Sequence, residues 1–416
     1  MKILAYGLNY APELTGIGKY SSELCEWLAA RGHTVEVVTA HPYYPNWVLA
    51  EGYDNRSYQH EIRNLVKVRR CPLYLPRVVP SGKRGRIMSH ASFAISSVPK
   101  LLASVRQLQP DVLLAVTPSF LIAPMALAVS RMFGTPSWLH IQDFELDAAF
   151  ELGMLAGNNL RRAATSLEAV ILRRFDRIST ISPRMMDRLH SKGAPPGSTV
   201  KFRNWVDTDA ISPANRMTGF RKQLGLSDRH IVALYAGSIA AKQGIESLAE
   251  AAAELQTKAP EVVFVFCGAG ALLKHLVKIA APLSNVKFLD LQPDERMREL
   301  LATADIHLIP QRAQVSDLML PSKLAPILAS GRPAVAMAYP GTQLAAEIEG
   351  AGIAVPPSDR QALSDAILKL ARDPGLRMRM GEQARTLACA RWHKEAILSE
   401  FEANLIEVAS RRRKNG

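Results

Sequence analysis

Apolar positions come in short runs of strand length, set between stretches where they recur at helical spacing. In the first half, Lys2–Tyr6, Val35–Thr39, Val66–Arg70, Asp111–Thr117, Ser137–Ile141 and Arg177–Ser182 read as strands. Ser21–Ala30, Ile87–Val105, Ser119–Phe133 and Leu160–Phe175 read as helices between them. Residues 41–47 and 54–60 read as a loop region rich in aromatics and prolines. A fresh series opens with strand Ile231–Tyr235 and helix Ile245–Leu255, then strands Val262–Cys267, Val286–Leu289, Ile306–Ile309 and Ala334–Met337. Helical patterns over Ala362–Asp373, Leu376–Ala388 and Trp392–Ala409 follow. Strand–helix–strand order builds βαβ units, hence parallel strands joined by right-handed crossovers. The pattern predicts an α/β architecture in two successive domains, residues 1–205 and 206–389.

Composition narrows the class. The 416 residues suffice for two domains with separate cores, and 48% apolar against 21% charged residues describes a globular chain. No run reaches the ~20 uninterrupted apolar residues of a membrane span. The nearest, Val112–Val129, is broken by Pro118 and Pro124. Met1–Tyr6 leads straight into a strand without a cleavable signal, and Cys25, Cys71, Cys267 and Cys389 have neither metal spacing nor a disulfide framework. The expected compartment is the cytosol. The net charge of +13 favours anionic partners. Charge without a recognisable module argues against nucleic acid. Between Glu61 and Arg106 stand ten Lys or Arg and one acid. A basic connector, Arg77 to Arg86, feeding the helix at Ile87–Val105 has the character of a peripheral contact with an anionic membrane. An ordinary packed helix behind a solvated loop fits the same residues.

Four places carry candidate chemistry. Gly16-Ile-Gly18 is not the dinucleotide fingerprint, because Ser21 holds the third glycine position and the loop is long. It reads either as a turn or as a loop whose backbone can approach a ligand. His140 and Asp143 stand at the carboxyl end of a strand, where open α/β sheets bind ligands. Gly237 to Lys242, and Gly268 to Gly270, are glycine loops after the second domain's first two strands. Pro321-Ser322-Lys323 looks like a helix opening capped by Ser322, a ready anion site or simply a good cap. Ser330-Gly331-Arg332-Pro333 ends that helix.

Leu320-Pro-Ser-Lys-Leu324 followed by Leu328-Ala-Ser-Gly-Arg-Pro-Ala-Val-Ala336 is similar to the donor-binding helix of retaining, nucleotide-sugar-dependent GT-B glycosyltransferases. Gly7 to Tyr20, Val116 to Phe120 and Leu139 to Asp147 resemble the colanic acid biosynthesis fucosyltransferases of that family. Val200 to Asp207 resembles its inter-domain junction, with Trp205 in place of a glycine. The resemblance implies two Rossmann-like domains with parallel sheets facing across a cleft, and a C-terminal helix, residues 390–416, packed back on the first domain. It implies metal-independent, retaining hexosyl transfer, without a cofactor, from a GDP- or UDP-sugar, GDP-fucose first. The acceptor it implies is a lipid-linked oligosaccharide of exopolysaccharide synthesis, met at the inner face of the cytoplasmic membrane.

Carried over residue by residue, Gly237, Gly268, Ser322 and Lys323 bind the donor diphosphate, Gly16 and Gly18 let the first loop close, and His140 contacts the sugar. Ser238 stands where the family has an arginine, so Lys242 supplies that charge. Leu318 and Pro326 stand where many members have two glutamates, one of which binds the ribose. A GT-B sugar epimerase or hydrolase, or a two-lobed binding protein, are the alternatives. A dehydrogenase lacks its fingerprint.

Overall fold

The computed structural model describes all residues except 14–15, 46, 77–82, 118–119, 145–146, 148–156, 241–242, 314–319, 358 and 416; for 83–84, 158, 160 and 411–415 it describes the backbone alone. Two units emerge, Met1–Arg203 with Leu398–Gly416, and Asn204–Ile397. Each is Rossmann-like.

The first unit holds β1 (Lys2–Gly7), β2 (Thr34–Ala40), β3 (Gln59–Arg63), β4 (Val66–Cys71), β5 (Val112–Thr117), β6 (Ser137–Ile141), β7 (Arg177–Thr180) and β8 (Thr199–Lys201). Their order is β3-β4-β2-β1-β5-β6-β7-β8. β1 is central, with Ile3 in register with Val35 and Val112. Its apolar residues are buried on both faces, which is why the run lacks alternation. All pairs are parallel except β3 with β4.

Part of the loop expected at 54–60 is therefore edge strand. β3 turns into β4 through Asn64 and Leu65, whose φ values of 44° and 69° suit a two-residue hairpin. Its sequence hides it: Gln59, Glu61 and Arg63 are half-buried, and Ile62 is 76% exposed. The helix expected over Ile87–Val105 is two helices, Lys83–Ser96 and Val98–Leu108. Pro99 has no N–H to continue the ladder and sits in the second helix's first turn, where that donor is not needed. Ser97, at the break, bonds the Tyr6 hydroxyl at 2.7 Å. Among the described residues, no helix is long and apolar enough to cross a membrane.

The helix Lys394–Asn415 enters the first unit at Leu398. There Phe401 meets Trp138 edge-on, with centroids 4.9 Å apart, and stacks on Phe202 at 3.8 Å.

The second unit holds β9 (Ile231–Ala236), β10 (Val262–Cys267), β11 (Val286–Leu289), β12 (Ile306–Ile309), β13 (Ala334–Met337) and β14 (Gly352–Val355), in the order β11-β10-β9-β12-β13-β14. All pairs are parallel. β14 escaped the pattern because it opens on a glycine. A Cβ at Gly352 would lie 2.2 Å from the Ala334 carbonyl oxygen, so the close strand approach requires that residue. The strand order reverses between β9 and β12, which puts the loop after β9 at the sheet's switch point.

Candidate functional site

At the carboxyl ends of β9 and β10, two glycine loops lie backbone on backbone. The Gly237 N–H donates to the Cys267 carbonyl, and the Ile239 N–H to the Ala269 carbonyl, both at 2.9 Å. Gly237 and Gly268 have φ values of 139° and 151°, which side chains rarely adopt. A Cβ at Gly268 would stand 1.9 Å from the Gly237 oxygen, so the loops touch only because that position is glycine.

Lys323 completes this corner. Its ammonium lies 3.8 Å from the centroid of the Tyr235 ring, and a Cβ at Gly237 would come within 3.1 Å of its Nζ. Tyr235 is the penultimate residue of β9, and its hydroxyl donates to the Ser238 carbonyl at 2.6 Å. Strand end, glycine loop and lysine thus share one place.

The serine cap needs correction. The helix Leu324–Ala329 has Lys323 at its N-cap, in helical conformation and without a side-chain cap bond. The Leu324 N–H donates instead to the Pro321 carbonyl, a closed turn that leaves Ser322 exposed ahead of the helix. Lys242 and Leu318 lie outside the described residues; Pro326 is within the short helix.

In the first unit, Gly16 takes φ 62° immediately before the helix Ile17–Ala30. Gly18 is in that helix's first turn, where a Cβ would stand 2.8 Å from a Glu13 carboxylate oxygen. Glu13 was not singled out by sequence. It is 5% exposed and accepts hydrogen bonds from the Asn9 side chain at 2.9 Å and the Tyr43 and Tyr44 N–H groups at 3.1 Å. Burial pushes its carboxyl up to about 7 against those bonds. Nothing but the acid's position next to a glycine loop could have pointed to it.

His140 is buried within the first unit. Alternation along β6 puts it on the same face as Trp138, and both reach the Ser179 hydroxyl, at 2.9 and 2.8 Å. Its ring centroid is 4.9 Å from that of Phe202, under the stack with Phe401, and it is 2% exposed. Burial pushes its pKa down to about 3, so the ring is neutral. His140 is thus packed among core aromatics, with its Nε2 buried and without a hydrogen-bond partner among the described residues. Asp143, beyond the end of β6, is half-buried and reaches solvent.

Residues 15–205 match the glycosyl transferase 4-like domain, and residues 217–387 the glycosyl transferases group 1. The chain is 38% identical over 412 residues to the putative colanic acid biosynthesis glycosyl transferase WcaI of Escherichia coli (strain K12), covering 96% of this chain and 98% of that protein. Sucrose-phosphate synthase (tll1590) from Thermosynechococcus elongatus superposes with a TM-score of 0.79 at 18% identity, over 98% of this chain and 99% of that one. Anabaena Alr3699/HepE in complex with UDP-glucose superposes at 0.72 and 16% identity, over 98% and 100%. These likenesses bear out the GT-B fold.

Proposed function

The chain belongs to the group 1 glycosyltransferases, and from that premise we propose that it moves a sugar, with retention, from a nucleotide sugar to a lipid-linked oligosaccharide in exopolysaccharide assembly. The observation that carries the donor reading is the Lys323 ammonium beside Gly237 at the switch point. A Cβ-free loop admits a phosphate oxygen close to the backbone, and a fixed cation offsets the charge that grows on the departing diphosphate. In this reading the bond from the sugar's anomeric carbon to the diphosphate oxygen breaks as a bond to the acceptor oxygen forms on the same face. The acceptor's proton goes to the leaving oxygen, so no protein nucleophile, metal or cofactor is invoked. Asp143, half-exposed at a strand end, is the first-unit residue we assign to the reacting groups.

The setting is supported by the WcaI relative, whose name carries colanic acid biosynthesis. GDP-fucose is the first donor choice, on the resemblance of residues 7–20 and 139–147, with UDP-sugars second. A cytoplasmic membrane face is the proposed workplace. Residues 77–82 of the basic connector lie outside the described residues and 83–86 open the helix Lys83–Ser96; in the proposal's favour, that helix exposes Ile87, Met88 and Ile95, the last 72% exposed.

A screen of nucleotide sugars by thermal stabilisation and slow donor hydrolysis tests the proposal. GDP-fucose should raise the melting temperature and release GDP. If no nucleotide sugar stabilises the folded chain, the donor reading fails.

A further inference from the structure

The amino ends of β12 and β13 border a cavity of about 480 Å³, within the range of small-molecule sites. Asp305 and Pro333, the residues before those strands, line it. The sheet is parallel and the glycine loops follow the carboxyl ends of β9 and β10, so the cavity lies at the opposite edge of the same sheet. It is separate from the proposed donor corner.

Its lining is strongly basic. Arg216, Arg332, Arg377 and Arg385 face Asp305 and Glu382, four positive charges against two negative. Asp305 is already engaged. It binds Arg216 at 2.8 Å and the wholly buried Arg221 at 2.5 Å, and accepts the Val232 N–H at 2.8 Å. Glu382 is exposed.

The other guanidiniums are held by backbone carbonyls, which carry no net charge. Arg332 donates to Ala214 at 2.9 Å. Arg377 donates to Leu370 and, at 2.7 Å, to Ala371. Arg385 donates to Thr208, Ile211 and Ala329 at 2.9 to 3.1 Å. Among the described residues, the Arg332 Nε is buried with no hydrogen-bond partner, an uncompensated donor that costs free energy. Burial presses Arg332 and Arg377 below the ordinary arginine value; Asp305 opposes this and the Arg216 guanidinium adds to it. Fixed, crowded guanidiniums with spare N–H groups suit the oxygens of a phosphate group, which accept several donors at once.

We infer that this cavity is a second anion site, built for a small ligand bearing a phosphate or diphosphate group and distinct from the donor corner. The inference does not depend on the donor reading.

The probe is inorganic pyrophosphate, titrated calorimetrically into the full chain. Met378 lines the cavity from the helix Pro374–Arg391 and is 63% exposed, so charge can be placed there without removing an internal bond. Pyrophosphate binding should persist in Lys323→Met, weaken several-fold in Met378→Glu and tighten in Met378→Lys. Arg332→Gln should weaken it about tenfold or more, the loss of a charge-assisted bond. Flotation with phosphatidylglycerol vesicles separates the sources. If vesicles, not pyrophosphate, respond to the residue 378 variants, the phosphate recognised belongs to a lipid headgroup. Loss of all pyrophosphate binding in Lys323→Met, or indifference of both ligands to charge at residue 378, overturns the site.

Discussion

Replacing Lys323 by methionine keeps the length and apolar character of the stem and removes the ammonium. The structure bounds what this does to folding. The Lys323 Nζ is buried, so the cation over Tyr235 contributes about 2 kcal/mol, and a thioether against the ring returns about 0.3–1.5 kcal/mol without the cost of burying a charge. Lys323→Met should therefore melt within a few degrees of the parent. The effect on the ligand should be larger. A charge-assisted bond to a phosphate oxygen is worth about 1.5–3 kcal/mol, or roughly tenfold to a hundredfold in affinity. Charge on the diphosphate rises as its bond to the sugar breaks, so kcat should fall by more than KM rises. Calorimetry with the donor's nucleoside diphosphate and steady-state rates measure the two terms. A folded variant with unchanged nucleotide affinity and unchanged turnover would refute the placement of the leaving group.

Gly268→Ala should part the two glycine loops, since its Cβ would overlap the Gly237 oxygen; we expect a cost on the order of 1–3 kcal/mol and weaker nucleotide binding, and an unchanged melt would contradict this. Glu13 keeps its proton to about pH 7 in the folded chain against about 4.5 ordinarily, so the native state binds more protons between those values. Its contribution is full below about 4.5 and lost as pH rises to 7; in urea melts Glu13→Gln should flatten that slope, and parallel profiles would return Glu13 to an ordinary acid. Changing Lys83, Arg84 and Arg86 together to Ser should reduce flotation with anionic vesicles, by on the order of 1 kcal/mol per charge, while donor hydrolysis persists. Equal flotation of the triple variant would leave the membrane contact elsewhere.

The strands that sequence revealed are those buried on both faces. β1, β5 and β10 are continuous apolar runs because a helix covers either side. β3 and β14 were missed for opposite reasons, one too polar at an edge and the other opened by a glycine that its neighbour's backbone demands. In the site, Gly237, Gly268 and Lys323 were visible as residue types, but their meeting depends on two loops closing over one strand end. His140 stood out because a strand end is a good place for chemistry, and its burial could not be read from that position. Both faces of β6 are buried, and the face bearing Trp138 is covered by Phe401, far along the chain, which no local pattern reports. The four arginines of the second cavity come from segments so separated that none looked unusual alone.

The helix that carries Phe401 also sets an order of events during synthesis. The first unit's core stays open over Trp138 and Phe202 until residue 401 has been made, after the whole second unit. At ordinary elongation rates that interval is on the order of ten to forty seconds. Through it the nascent first unit presents an aromatic face that chaperones recognise, while the second unit, Asn204–Ile397, has its own core cluster and can close earlier. A released chain ending at residue 397 should thus be cut by protease in the first unit and spared in the second. Equal protection of both would mean the first sheet closes without its last helix.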